Sequence, residues 1–346
     1  MSSIIIGSSN TNGSGSAANL TPDNGQLITL EPSEYNNDYY WEYYYSDDLV
    51  YADLYGTQRG ETLYVENLAE WNTEGVKEIS IESGTDYDTY NYLDDIIIDG
   101  FVDVNIRLDD HTDIGADHLY VDIDSAKRAT IDTRELVFHH EDGTVSDMNN
   151  YISISVTSNS ASWSNLFSIK TGAGEDTVDL YERSSDSGSQ WTEFDIELGD
   201  GTDHFYFDIS AAASSRQTRD VDGGEGTDYL YLYRNMEDVD FTNFEVVAAY
   251  YPTRNYDITL DESLLANNHG ADEGLIVANL DVSFSDDYDD LQVSELTEQQ
   301  ALYITNTMED FYLSRVDVED FQAVTLTYGD DTYTMFTNET ELAWFN

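Results

Sequence analysis

Apolar and polar residues alternate in short runs along most of the chain, and turns rich in Gly and Asp separate these runs up to about residue 291. Clear examples are residues 79–81, 102–108, 152–156, 194–198 and 230–232. Alternation with a period of two over four to seven residues is typical of β-strands that bury one face. The chain has only three prolines, so little interrupts strand pairing. The pattern predicts an all-β fold.

Two terminal segments depart from this alternation. Residues 2–19 are rich in Ser, Gly and Asn, which is typical of a flexible arm. Near the C-terminus, residues 294–314 carry apolar side chains at spacings that fit a helix, with Ser294 or Thr297 as its N-cap. We therefore expect helical structure only in the last part of the chain.

A repeated motif divides the central part of the chain. Residues 172–180, 199–207 and 224–232 all read Gly-x-Gly-x-Asp-x-U-x-U, where U is an apolar residue, and Gly223 completes a Gly-Gly pair in the third copy. An earlier, shortened copy contains Gly115 and Asp117 and is followed by alternating residues. A motif repeated at intervals of this kind indicates a solenoid or an array of similar units.

The spacing of the motif aspartates specifies the solenoid. Asp176, Asp203 and Asp228 are 27 and 25 residues apart, and Asp117 precedes Asp176 by 59 residues, close to twice 29. A degenerate turn near Asp147 would fill that gap. A period of 25–31 residues fits one coil of a parallel β-helix with two or three short strands. We expect an all-β, right-handed parallel β-helix or β-roll-like solenoid with one Gly/Asp turn per coil.

These patterns divide the chain into three predicted parts. Residues 1–34 form a flexible or assembly arm, residues 35–291 form the parallel β-solenoid with its strongest motif copies in 113–232, and residues 292–346 form a C-terminal cap.

The motif resembles the nonapeptide Gly-Gly-x-Gly-x-Asp-x-U-x of the repeats-in-toxin (RTX) calcium-binding proteins. The resemblance implies that the glycine turns offer backbone carbonyls, that the aspartate coordinates Ca²⁺ and that U points into the core. The candidate metal ligands it implies are Gly115, Asp117, Gly172, Gly174, Asp176, Gly199, Gly201, Asp203, Asp222, Gly224, Gly226 and Asp228. RTX motifs usually repeat in tandem every nine residues, whereas this chain has one copy per predicted coil.

The motif also suits calcium on physical grounds. Calcium takes six to eight oxygen ligands, and a tight turn supplies them only where glycines leave the backbone free to adopt unusual conformations. Turns one coil apart would stack at about 4.8 Å, close enough for two turns to share an ion. The alternative is that these segments are ordinary solvated turns of an acidic β-protein.

The net charge limits the partners of the chain. Its 71 acidic and 13 basic residues give a net charge of −58, which opposes a compact state unless divalent cations or high salt neutralise part of it. Nucleic acids and anionic membrane surfaces would be repelled. The chain has no cysteine, which excludes disulfides and thiolate metal sites.

The sequence favours a structural role over catalysis. It contains no P-loop, nucleophile elbow, Rossmann fingerprint or HExxH motif, and with so many acidic residues no catalytic pair stands out. His118 and His204 occupy the same motif position and are expected to be exposed turn residues. The aromatic run 39–45 is expected to cap the solenoid or contact another subunit, with sugar stacking as the alternative.

The expected function is that of a secreted, calcium-binding structural protein of a surface layer, extracellular filament or matrix, which calcium folds and assembles. Its expected partners are other copies of itself, with cell-surface polysaccharide as a further candidate, and neither nucleic acid nor membrane insertion is expected. The RTX resemblance implies type I secretion through a C-terminal signal, and residues 1–12 lack the features of a signal peptide. The alternatives are a virion decoration or tail-fibre protein, and a polysaccharide-active enzyme or glycan-binding module on a β-helix.

Overall fold

The structure is a computed structural model of the chain. It describes the backbone of seven N-terminal strands and then residues 103–108, 118–140, 144–156, 165–182, 192–209, 219–235, 239–252, 256–268, 274–285, 288–308 and 316–339.

Thirty strands and three short helices make up the described part of the chain. The first strands are β1 (Ser2–Gly7), β2 (Ile28–Glu31), β3 (Tyr40–Ser46), β4 (Leu49–Tyr55), β5 (Glu61–Asn67), β6 (Val76–Glu82), β7 (Leu93–Asp99), β8 (Asp103–Arg107), β9 (His118–Ala126) and β10 (Arg128–Asp132). The central strands are β11 (Val137–His139), β12 (Val145–Asp147), β13 (Asn149–Val156), β14 (Asn165–Lys170), β15 (Ala173–Gly174), β16 (Thr177–Glu182), β17 (Thr192–Glu197), β18 (Asp200–Gly201), β19 (His204–Asp208), β20 (Arg219–Asp222), β21 (Glu225–Gly226) and β22 (Tyr229–Leu232). The last elements are β23 (Asp240–Thr242), β24 (Val246–Ala249), β25 (Asp257–Leu260), α1 (Glu262–Asn267), β26 (Leu275–Ala278), β27 (Asp281–Phe284), β28 (Asp290–Ser294), α2 (Glu298–Thr307), a 3₁₀ turn (Val318–Asp320), β29 (Gln322–Tyr328) and β30 (Asp331–Thr337).

Two long sheets and a short corner sheet carry the solenoid. Sheet A has ten strands in the order β23-β20-β17-β14-β10-β8-β6-β1-β4-β3, and sheet B has thirteen in the order β2-β5-β7-β9-β13-β16-β19-β22-β24-β26-β30-β29-β28. The corner sheet consists of β15, β18 and β21. Successive coils give one strand to each long sheet, and the strands from β7 to β26 pair in parallel. The predicted fold, a right-handed parallel β-solenoid, is confirmed.

The alternation in the sequence becomes columns of core side chains. On sheet B, register places Val121, Ile152, Val178, Phe205 and Leu230 on successive coils, and all five are fully buried. Each apolar residue therefore stacks on the apolar residue of the next coil and packs against the inward side chains of sheet A, as Phe205 does against Phe194 with ring centroids 6.4 Å apart.

The coil length matches the predicted period where the motif is strong and departs from it elsewhere. Tyr151 pairs with Thr177 and Thr177 with His204, steps of 26 and 27 residues, but Tyr231 pairs with Ala248 after only 17. The predicted turn near Asp147 is wrong, because Asp147 lies in β12, which pairs antiparallel with β11 as a hairpin inserted into the coil.

The two ends differ from the central coils. At the C-terminal end, β28, β29 and β30 pair antiparallel, and α2 begins after Thr297, which forms a capping box with Gln300. This confirms the predicted helix and one of its two proposed caps. No helix in the described ranges is long and apolar enough to cross a membrane. At the other end, β1 comes from the segment predicted as an arm and lies between β4 and β6 in sheet A.

A second apolar cluster forms outside the solenoid. Helix α2 and the segment after it pack on the outer face of sheet B, where Tyr229 and Tyr231 are buried together with Ile304 and Phe336. The hydroxyl of Tyr229 donates to the carbonyl of Thr307 at the end of α2. This helix therefore covers the outer face of the last coils.

Candidate metal centre

Three glycine turns stack at the corner between sheets A and B. Gly174 pairs with Gly201 and Gly201 with Gly226, and their φ angles are 135°, 154° and 145°. These positive φ values suit glycine, which has no Cβ to clash with the backbone. The motif glycines are thus explained by the path of the chain through the corner.

The stacked turns also leave no room for side chains. A Cβ on Gly224 would lie 1.6 Å from the carbonyl oxygen of Gly199, and a Cβ on Gly199 would lie 1.9 Å from the carbonyl oxygen of Gly172. Both Gly224 and Gly199 have φ near +105°. Each turn therefore rests directly on the backbone of the turn before it.

Replacing Gly224 by Ala is expected to destabilise the folded chain by roughly 3 kcal/mol or more, because backbone strain and overpacking each cost on the order of 1–3 kcal/mol. Gly329→Ala is the control, since Gly329 has φ +60° but nothing within 4 Å of the added Cβ. Its expected cost is about 1–2 kcal/mol from strain alone. Urea denaturation followed by circular dichroism gives both values, and equal losses would contradict the close stacking.

The motif aspartates form one column of hydrogen bonds just after these turns. Oδ1 of Asp203 accepts from the backbone N–H of Asp176 at 2.7 Å, and Oδ1 of Asp228 accepts from the N–H of Asp203 at 2.9 Å. Each carboxylate therefore binds the backbone of the coil before it. The structure brings together the three aspartates that the sequence placed one coil apart.

Two residues that the sequence analysis missed complete this column. Asn150 gives its backbone N–H and its side-chain amide to Oδ1 of Asp176, at 2.6 and 2.8 Å. At the other end, Oε2 of Glu245 accepts from the N–H of Asp228 at 2.7 Å. Asn150 is the second residue of β13 and Glu245 directly precedes β24, and neither has motif glycines before it. The only signal was a polar residue immediately before an apolar run, which is too common to single out.

The second oxygen of each aspartate is buried and unsatisfied. Asp176, Asp203 and Asp228 have no exposed surface, and among the described residues their Oδ2 atoms have no hydrogen-bond partner. Gly223 packs closely against one of them, since a Cβ there would lie 2.8 Å from Oδ2 of Asp228. A buried carboxylate needs either a proton or a counter-ion, because an isolated charge in the protein interior is costly.

The pKa values of the column also indicate that its carboxylates need a proton or a counter-ion. Burial raises the pKa of Asp203 to about 9, of Asp228 to about 8 and of Asp176 to about 6. The donated backbone N–H groups oppose these shifts, whereas the charges of Asp176 and Asp228 raise the pKa of Asp203 further. Burial also raises the pKa of Glu245. Without a cation, Asp203 and Asp228 would hold protons at neutral pH.

The other predicted ligands occupy different places. Gly115 and Asp117 lie outside the described residues, and the residue that pairs with Asn150 on the preceding strand is Leu119. Asp222 ends β20, where its Oδ1 accepts from the side chain of Asn243 at 2.7 Å. Asp222 is therefore on the sheet A side of the turn and not in the carboxylate column.

The two histidines are not equivalent, contrary to the prediction. Along sheet B, His204 pairs with Thr177, Thr177 with Tyr151, and Tyr151 with Tyr120, so His118 is offset by two residues. The His204 ring is half-buried in β19 and stacks on that of Tyr229 with centroids 4.9 Å apart. The motif-based alignment failed because the first copy has a different length from the later ones.

Backbone oxygens would have to complete any metal site in the column. The carbonyls of Gly172, Gly199 and Gly201 each accept one backbone N–H from the next coil, and each keeps a second lone pair. Within the described ranges, no three His, Asp or Glu side chains lie close enough together to hold a metal. Adjacent carboxylates about 4.8 Å apart would thus supply two side-chain ligands, with backbone and water providing the rest.

Comparisons of the chain with protein-family models, with curated proteins and with solved structures gave no match. The fold and the corner define a parallel β-solenoid with a buried column of carboxylates.

Proposed function

We propose that this chain is a calcium-binding structural protein that calcium folds and assembles. The observation that supports it is the column of Asp176, Asp203 and Asp228, whose Oδ2 atoms are buried without a partner. A divalent cation between adjacent coils would neutralise two carboxylates at once and take up these oxygens. Oxygen-rich sites of this kind suit Ca²⁺, which tolerates irregular geometry, better than Mg²⁺.

The proposed location is outside the cell, in a surface layer, filament or matrix. Extracellular calcium sites commonly have dissociation constants of about 10⁻⁴–10⁻³ M, so the ion would be bound outside and absent inside. In low calcium, the net charge of −58 would destabilise the folded chain, and binding would supply part of the folding free energy. Export by type I secretion remains part of the proposal, on the RTX resemblance.

The proposed partner is a second copy of the chain. Strand β28 ends sheet B and is mostly exposed, and Val293 retains 43 % of its surface. No described strand pairs with its outer edge. An open edge offers unpaired backbone groups to another strand, so copies can join by strand addition once calcium has reduced their charge.

Calcium is expected to convert the purified chain from monomers into larger assemblies, seen by light scattering and negative-stain electron microscopy. Val293→Glu is expected to keep it monomeric, because a charge on a self-pairing edge repels its neighbour. Val145→Glu is the matched control, since Val145 is 58 % exposed on the β11–β12 hairpin. Assembly that persists in chelator, or that both variants alter equally, would contradict this proposal.

A further inference from the structure

The outer face of sheet B carries a surface that the proposed calcium site does not use. We call it the tyrosine–aspartate face and define it by Tyr120, Asp122, Tyr151, Asp179, Tyr206 and Asp208, on β9, β13, β16 and β19. These residues alternate with core residues such as Val121 and Val178, so they point away from the solenoid. Helix α2 covers the same sheet further along, over Tyr229 and Tyr231.

A carboxylate without a counter-charge lies in the middle of this face. Asp179 is half-buried, and within the described residues it makes no hydrogen bond or ion pair. Burial raises its pKa to about 6, and the nearby charges of Asp208 and Asp122 raise it further. The neighbouring cation, Arg234, is paired with Asp208. The face therefore lacks positive charge at Asp179.

Tyrosine rings lie on both coils next to Asp179. Register pairs Asp179 with Ser153 on the coil before it and with Tyr206 on the coil after it, and Tyr151 lies two residues before Ser153 on the same strand. Tyr151 stacks on Tyr120 with ring centroids 5.0 Å apart, and Tyr206 stacks on Tyr231 at 4.6 Å. Register pairs Tyr151 with Thr177, and Thr177 with His204. The small side chain of Thr177 leaves space beside the ring of Tyr151. Tyr151 is 38 % exposed, so a ligand can reach it.

Carboxylates bordered by electron-rich rings recognise cations. Rings of Tyr attract an ammonium group, and aliphatic stems pack along such rings while their charged ends reach carboxylates. No three acidic or His side chains converge in the described ranges, and the outer face of a sheet, unlike the glycine turns, presents side chains and no backbone carbonyls to a metal ion. An organic cation therefore fits this face better than a metal ion.

A second carboxylate of the tyrosine–aspartate face, Asp122, suggests a ligand with more than one positive charge. Asp122 lies two coils before Asp179, with Ser153 between them. At a strand spacing of about 4.8 Å this separates the two residues by roughly 10 Å. From the unpaired carboxylate, the flanking rings and this spacing, we propose that the tyrosine–aspartate face binds a linear aliphatic polyamine, with ammonium groups at Asp179 and Asp122 and methylene groups against the rings. The charge of the whole chain would concentrate such a cation at its surface.

Isothermal titration calorimetry with spermidine, in saturating calcium, tests this proposal. Asp179→Asn is expected to weaken binding at least tenfold. Asp240→Asn, which removes one exposed carboxylate on sheet A, is expected to change it less than twofold. Equal effects of the two substitutions would show attraction by net charge alone and overturn the proposal. The proposal would also be overturned if spermidine does not bind in saturating calcium. It would equally be overturned if a neutral oligosaccharide binds and Asp179→Asn weakens that binding.

The contribution of the rings is tested separately. Tyr151→Phe keeps the ring and is expected to bind spermidine as the parent chain does, whereas Tyr151→Leu is expected to bind several-fold more weakly. Equal losses in both variants would overturn the role of the ring. Unchanged circular dichroism and an unchanged calcium response in each variant separate this result from a failure of the corner site.

Discussion

In the presence of chelator, the free energy of unfolding is expected to fall as the pH rises from about 4 to about 9. The pKa of Asp203 is raised from 3.8 to about 9 in the folded chain, and that of Asp228 is raised to about 8. Because the folded state binds these protons more tightly, their contribution is complete below pH 4 and is lost as the pH rises through the folded values. Each such carboxyl changes stability by about 1.4 kcal/mol per pH unit within its window.

Calcium at about 100 times its dissociation constant, roughly 10–100 mM for sites of this class, is expected to restore part of this stability at pH 8. The ion would take the place of the protons on Asp203 and Asp228, and each site contributes about 2.7 kcal/mol when calcium is at 100 times its dissociation constant. Urea denaturation followed by circular dichroism, across pH and with calcium, magnesium or chelator, measures both effects. Stability that does not vary with pH in chelator, or that magnesium restores as well as calcium does, would contradict the account.

Asp203→Asn is expected to be more stable than the parent chain in chelator and less stable than the parent chain in calcium. The amide keeps an oxygen to accept the N–H of Asp176 and needs no proton, whereas the parent chain in chelator at pH 8 must protonate on folding a carboxyl whose ordinary pKa is 3.8. The variant is therefore expected to be more stable than the parent chain in chelator by roughly 2 kcal/mol or more. In calcium it is expected to be less stable, because a ligand is lost. The column itself accepts an amide at Asn150.

Two further substitutions isolate the charge of Asp203 from its hydrogen bond. Asp203→Ala removes the acceptor as well and is expected to be about 1–3 kcal/mol less stable than Asp203→Asn under all conditions, because the buried N–H of Asp176 loses its partner. Asp240→Asn removes an exposed charge and is expected to leave the calcium response unchanged. If Asp203→Asn lowers the stability equally in chelator and in calcium, the carboxylate of Asp203 binds no ion in the parent chain.

The sequence predicts the solenoid well where each coil repeats the same elements. Glycines at 174, 201 and 226 and apolar residues at 178, 205 and 230 recur at nearly constant spacing, and stacking requires this because each residue packs on its counterpart one coil away. The terminal helix is also evident from its capping box at Thr297.

The sequence fails where the spacing changes. The β11–β12 hairpin lengthens one coil, so the position aligned with Asp176 is Asn150 and not the predicted Asp147. A shorter coil then places Glu245 in the column, 17 residues after Asp228. Partner residues in a solenoid are fixed by three-dimensional register, and a motif of constant spacing does not reveal insertions or deletions between its copies.

X-ray diffraction from crystals grown in calcium, with anomalous difference maps, tests the central claim most directly. Calcium-bound solenoids would show anomalous peaks between the carboxylates of Asp176, Asp203 and Asp228, within about 2.3–2.6 Å of their oxygens. Maps without a peak at the corner, with each Oδ2 bound to a water molecule or sharing a proton with its neighbour, would show that the column is held by protons and that calcium does not bind there.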